Sequence, residues 1–199
     1  ELVAFDLEES LHGGSEALAR MMAQDQADVA GMISLEMLGF RSTAPGSQKI
    51  PAQLAKAMPR LAKELDQRKH RGDFIAAISN AGGKLWFESL VSSIREAGVP
   101  VVPIEVSGKL LAEPALRRSD HAPFWDEGFP AVVLTDTAEH RNARYHTPGD
   151  TPDTLDYDFM AGVVTVPRTG GNGRRWQGAA SSTRCSRRGP RPRTPRSRS

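Results

Sequence analysis

Short apolar runs recur along this chain with helix-period stretches between them, and that alternation leaves few folds open. Leu2 to Leu7, Val29 to Leu38, Phe74 to Ser79, Val99 to Val106 and Ala131 to Thr135 read as strands. Ser15 to Gln26 reads as a helix with Leu18, Met21 and Met22 on one face. Lys84 to Ala97 reads as another, with Trp86, Phe87, Leu90, Val91 and Ile94 at helical spacing and Gly98 as its stop. A last helix begins near Thr154 and turns Leu155, Phe159 and Val163 inward. Strands alternating with helices predict a mixed, largely parallel sheet between helical layers, a three-layer α/β/α fold. Sites in such sheets gather beyond the carboxyl ends of the strands.

Charge divides the chain in two. All 24 acidic residues fall within 1–166, with 16 of the 26 Lys and Arg, whereas 167–199 holds ten Arg, no Lys and no acid. The first part has the composition of a globular domain. The second has too few apolar residues to offset chain entropy and is expected to be disordered. Two readings of it stand: a basic arm that neutralises phosphates without sequence specificity, or GC-rich DNA read in a shifted frame, which also yields Arg, Pro, Gly and Ser. The lone Cys185 lies in that tail, so 1–166 supports neither a disulfide framework nor a thiolate metal site. No apolar run approaches the length of a membrane-spanning helix. The chain opens on Glu1 within an apolar run, where no targeting segment can be read.

Polar clusters fall where strands end. Glu8 and Glu9 follow the first run, Glu36 interrupts ISLEMLGF in the second, and Tyr145-His146 lies in the loop after AVVLT. An adjacent acid pair can simply be solvated. A carboxylate flanked by Ile33, Leu35, Met37 and Leu38 is costly to bury unless paired or bound to metal, though it can also face water at a strand end. In the loop, Asp150 or Thr151 can cap the last helix, and Pro148 can shape a turn. Carboxylates and imidazole together are also a donor set that zinc accepts.

The segments AFDLEESLHGGS, ISLEMLGF with APGSQKIP, and SDHAPFWDEGFPAVVLTDTAEHRNARYHTPGDTPDTLDY occur in the same order as motifs of the bacterial zinc aminopeptidases. Over roughly residues 1–165 the chain resembles the C-terminal part of that family of two-zinc exopeptidases, which includes secreted leucine aminopeptidases. The resemblance implies a general base at Glu8, zinc ligands at Glu9 and His146 for one ion and Glu36 for the other, and an oxyanion donor at Tyr145. Many relatives carry aspartate at the position of Glu36. Asp120 and Asp150 are expected to orient a ligand or the loop. Two zinc ions about 3.5–4 Å apart polarise a carbonyl and activate water, a nearby carboxylate moves the proton, and a neutral phenol donates to the developing oxyanion.

The family pattern also includes an upstream histidine and a bridging aspartate on earlier strands, which no residue from Glu1 onward supplies. The site is therefore expected to be incomplete, and the chain to bind zinc poorly and turn over little or no substrate. His12 and His70 are expected at the surface, His140 at the mouth of the site or in solvent, and His121 in a structural hydrogen bond. Phe124, Trp125 and Phe129 line either a substrate pocket or the core. Peptides are the substrates that the resemblance implies, and export is the compartment. Two alternatives remain. A glutaminyl-cyclase-like zinc acyltransferase shares the SDH and HT-x-x-D patterns but tends to carry tryptophan before the histidine. A noncatalytic binding domain of the same fold has no need to keep Glu8, Glu9, Glu36 and His146.

Overall fold

Two nearly continuous apolar stretches, IAAISN and AVVLT, become the inner strands of the sheet, because strands covered by helices on both faces must be apolar on both. In the computed structural model every residue of β4 (Ala131–Thr135) and all but the last of β2 (Ile75–Asn80) are buried. The structure describes residues 1–165 and, beyond them, two short strands, Thr169–Gly170 and Arg174–Arg175, paired antiparallel. The remainder of the expected disordered tail lies outside the described residues.

The four-stranded sheet has the order β1-β4-β2-β3, with β1 (Met32–Glu36) and β3 (Val101–Val106) at its edges. β1 runs parallel to β4 and β2 parallel to β3, while β2 and β4 are antiparallel. The sheet is thus mixed and largely parallel, as the sequence predicts. Since β1 and β4 point the same way and Glu36 lies opposite Thr135, the end of β1 and the loop after β4 emerge at one edge.

Helices cover both faces. α1 (Gly13–Gln24), α3 (Pro59–Gln67) and α5 (His121–Asp126) lie on one side, where Ala19, Leu65, Phe124 and Trp125 share a core with Ala76, Ile78, Val102 and Val133. α4 (Lys84–Glu96) and α6 (Tyr157–Val164) cover the other, where Phe87, Val91, Ile94, Phe159 and Val163 meet Ile75, Ala77, Val132 and Leu134. Alternate residues of β2 and β4 serve opposite cores, as the pleat requires. Each large apolar side chain so buried contributes roughly 1.5–3 kcal/mol. The short helix Ala52–Ala57, α2, precedes α3.

The structure corrects several expectations. Residues 2–7 are not a strand: only Phe5 reaches the core, edge-on to Phe124 at 6.3 Å. Leu7, Leu11 and His12 instead take left-handed conformations around a short 3-10 turn, Glu8–Ser10. α1 begins at Gly13, and Met21 is largely exposed rather than inward. Neither Asp150 nor Thr151 caps the last helix; Asp156 does, accepting the backbone N–H of Phe159 at 2.9 Å, and Leu155 precedes the helix. Phe124 and Trp125 are buried, and Phe129 packs against the same cluster, so all three are core.

His121 is structural. It is almost fully buried, its Nε2 donates to the Leu116 carbonyl at 2.9 Å, and its ring stands edge-on to Trp125 at 4.4 Å. Burial pushes its pKa down to about 4. Below the ordinary value of about 6.5 the unfolded chain takes up this proton before the folded one, so stability falls as pH drops from there through 4, by about 3 kcal/mol. His121→Gln keeps a donor for Leu116 and removes the titration. Urea unfolding at pH 7 and pH 4 should show wild type losing about 3 kcal/mol more than the variant; parallel losses would mean that the imidazole is not held neutral.

Candidate active site

Glycine places the first acid pair. A methyl group at Gly14 would meet the Asp6 carbonyl oxygen at 2.6 Å and its nitrogen at 2.9 Å. Only glycine therefore lets the segment before α1 fold back over the helix start, where Gly14 N–H donates to Asp6 O at 3.0 Å and Gly13 N–H to Leu7 O at 3.2 Å. The turn that results carries Glu8 and Glu9 towards the end of β1.

Glu36 is the last residue of β1, and the chain turns sharply after it, with Met37 in the left-handed region. The Met37 carbonyl accepts Asp136 N–H at 2.6 Å, which ties the ends of β1 and β4 together. Ser119, just before α5, donates to Glu36 Oε2 at 3.2 Å, and its oxygen lies 2.8 Å from the Ser34 hydroxyl. Sequence reasoning singled out neither serine, although Ser119 opens the SDH motif.

The third segment is the loop after β4. The Asp136 carboxylate accepts Phe40 N–H at 2.7 Å and Ala138 N–H at 3.1 Å. Buried Asn142 spans the loop, its amide nitrogen donating to Asp150 at 3.0 Å and its oxygen accepting Arg144 N–H at 2.9 Å. Tyr145 and His146 follow with rings stacked at 3.9 Å, His146 in a left-handed conformation. Asn142 was not legible as a site residue, because its role depends on where Asp150 lies in space.

These segments meet in one open cavity of about 450 Å³, lined by Glu8, Glu9, Glu36, Tyr145, His146 and Asp150, with Arg118 and His12. His12 is a correction: it is half-buried and its Nε2 lies 3.7 Å from Glu8. Asp120 does not line the cavity, and one of its carboxylate oxygens is buried without a partner. Beside the polar cavity lies an apolar one of about 130 Å³, several times the room a water needs. Ile50, Leu54, Leu61, Ile104, Leu116 and Val133 are among its lining, with His140 and Glu139 at polar positions. His70 stays outside both and bonds Asp66 at 2.8 Å.

The acids perturb one another. Burial raises the pKa of Glu8, and the neighbouring Glu9 raises it further. Glu36 is raised first by burial and then by Glu8, while the Ser119 hydroxyl holds it down. Burial also raises Tyr145, keeping the phenol neutral, against the pull of Arg118. Such a concentration of carboxylates favours a cation.

His146 Nε2 and Glu9 Oε1 are 3.6 Å apart, near the roughly 3.4 Å expected of two donors about 2.1 Å from one tetrahedral zinc. That pair suits part of a zinc site. Among the described residues no three His, Cys, Asp or Glu side chains are grouped to hold a metal ion, where catalytic zinc usually has three protein ligands. The described residues therefore do not complete a site by themselves.

Residues 88–166 match the family model described as Peptidase family M28. An Escherichia coli K12 protein described as uncharacterized, YfbL, is 35% identical over 171 residues, which cover 82% of this chain and 48% of that protein. The chain thus spans about half the length of this curated relative. Among solved structures, the LapA aminopeptidase of Legionella pneumophila shares the fold with a TM-score of 0.51 and 17% identity, over 81% of this chain and 36% of that one. An aminopeptidase from Aneurinibacillus sp. strain AM-1 does so with a TM-score of 0.50 and 21% identity, over 81% and 30%.

Ser119→Ala should raise the Glu36 pKa further, because the hydroxyl that stabilises its carboxylate is lost. Carbon-13 NMR of the glutamate carboxyls across pH would show this as a later Glu36 transition. An unmoved transition would mean that Ser119 does not engage Glu36.

Proposed function

We propose, from the match of residues 88–166 to the model of peptidase family M28, that this chain carries part of the active site of a zinc-dependent aminopeptidase. The observation behind this reading is the meeting of Glu8, Glu9, Glu36, Tyr145 and His146, from three separate segments, around one cavity. In this reading Glu9 and His146 supply two ligands to one zinc ion and Glu36 one ligand to a second. Zinc, when bound, polarises the scissile carbonyl and lowers the pKa of water.

The chain's own groups then have distinct work. Glu8 is a general base whose affinity for a proton is increased by burial and by Glu9, which suits a group that takes a proton from water and passes it to the leaving amine. Tyr145, neutral at working pH, donates its phenol hydrogen to the oxygen that gains charge as the carbonyl is attacked. The adjoining cavity, walled largely by apolar side chains such as Ile50, Leu54, Leu61, Ile104 and Val133, receives an apolar side chain of the substrate's first residue.

Zinc affinity and hydrolysis separate these roles. Competition with a chromophoric chelator should show zinc affinity falling roughly tenfold or more in Glu9→Ala and in His146→Ala, and nearly unchanged in Glu8→Gln. Indifference to both ligand substitutions would sink the metal assignment.

The chain by itself should turn over little or no substrate, whereas a form of the protein that holds the full set of zinc ligands should cleave leucyl-p-nitroanilide and spare its N-acetyl analogue, with Glu8→Gln lowering kcat by roughly 10²–10⁴-fold. Conversion of N-terminal glutaminyl peptides to pyroglutamyl peptides with release of ammonia, without anilide cleavage, would point instead to the acyltransferase reading.

A further inference from the structure

The polar and apolar cavities share three lining residues, Glu36, Arg118 and Tyr145. Among the described residues lining the polar cavity, Arg118 is the only Lys or Arg. Its guanidinium is held on both sides: one terminal nitrogen bonds the Glu139 carboxylate, and the other donates to the Tyr145 phenol oxygen at 3.0 Å. The guanidinium also lies 5.6 Å from the centre of the Tyr145 ring. Arg118 belongs to the segment before α5, whereas Glu139 and Tyr145 belong to the loop after β4. The three side chains therefore bridge two walls at the junction of the cavities.

We propose that Arg118, held by Glu139, is the positioning residue for Tyr145. A phenol oxygen that accepts a hydrogen bond from a guanidinium keeps its own hydrogen free and directs it away from that donor. Charge-assisted bonds are roughly twice as strong as neutral ones, so the phenol is held in one orientation on the part of the loop that reaches the cavity. Glu139 fixes the guanidinium as Arg118 fixes the phenol. Both long side chains are partly exposed, at 49% for Arg118 and 37% for Glu139, so the relay adds order to the site rather than stability to the fold. Its effect on catalysis rests on the peptidase reading; the relay itself does not.

The chain has only two tyrosines, so labelling tyrosine Cζ with carbon-13 gives two NMR signals, and Tyr157→Phe assigns them. Arg118→Met should move the Tyr145 signal toward that of free tyrosine, Arg118→Lys should move it less, and Glu139→Gln should shift it in the same direction. Melting temperatures should stay within a few degrees, and Glu139→Gln serves if Arg118→Met fails to fold. In a form that holds the full set of zinc ligands, Arg118→Met should lower kcat roughly tenfold with KM within about twofold, a part of the 10²–10³ lost when an oxyanion donor is removed outright. A Tyr145 signal unmoved in Arg118→Met and Glu139→Gln overturns the relay, whatever the hydrolysis rates. A form with the full set of zinc ligands that cleaves no substrate overturns the peptidase reading, and the NMR signal then decides the relay alone.

Discussion

One buried guanidinium, that of Arg141, ties together the segments on which the candidate site stands. Its Nε donates to Gln48 at 2.9 Å, one terminal nitrogen donates to the carbonyls of Phe74 at 2.9 Å and Phe40 at 3.2 Å, and its plane lies 4.7 Å from the Phe74 ring. The segment after β1 at Phe40, the residue before β2 and the stretch between them at Gln48 are thereby fastened to the loop after β4. Burial lowers the Arg141 pKa to about 10, which still leaves it charged at neutral pH, and the other terminal nitrogen has no partner. Asp136 bears a related cost: burial raises it to about 6 despite its backbone donors, roughly 3 kcal/mol against ionisation. Two desolvated charges are an expensive way to hold a loop, but removing either would leave the other uncompensated.

The geometry of the site follows from that fastening. With the ends of β1 and β4 fixed side by side, Glu36 and the loop that carries Tyr145 and His146 cannot drift apart. Asn142 then closes the loop on itself through Asp150 and Arg144, which allows His146 to hold a left-handed backbone at a cost of roughly 1 kcal/mol or more. The acid pair arrives from the opposite side on a turn that depends on Gly14. Rigid anchors lie beneath the cavity, and the exposed side chains lie at its surface.

Much of this was legible in the sequence where one local signal sufficed. AVVLT is a strand with the bounds its apolar run gives, and the helical spacing of Phe87, Val91 and Ile94 marks the buried face of α4. The apolar run before Glu8 misled because a strand needs a partner, and the left-handed residues at Leu7, Leu11 and His12 turn that segment over the start of α1. α3 and α5 were not anticipated: one has a single buried position, Leu65, and the other is a six-residue helix that contains a proline. For the site, motif order identified the residues that meet at the cavity. The groups that hold them, Ser119, Asn142, Arg118 and Arg141, act across long stretches of sequence and have no spacing by which to be found.

Electrostatics favours a cation among these residues. Glu8 and Glu36 each bind a proton more tightly because of the other acids as well as burial, so their carboxylates repel one another at neutral pH. Arg118 relieves this only in part, since its guanidinium is already committed to Glu139 and Tyr145. The Glu9 and His146 donors, 3.6 Å apart and carried by separate segments, lie where a divalent ion would link those segments. A metal there would lower the cost of ionising the acids and fix the most exposed parts of the site. Without one, proton uptake by Glu8 or Glu36 is the means left to the cluster for reducing its charge.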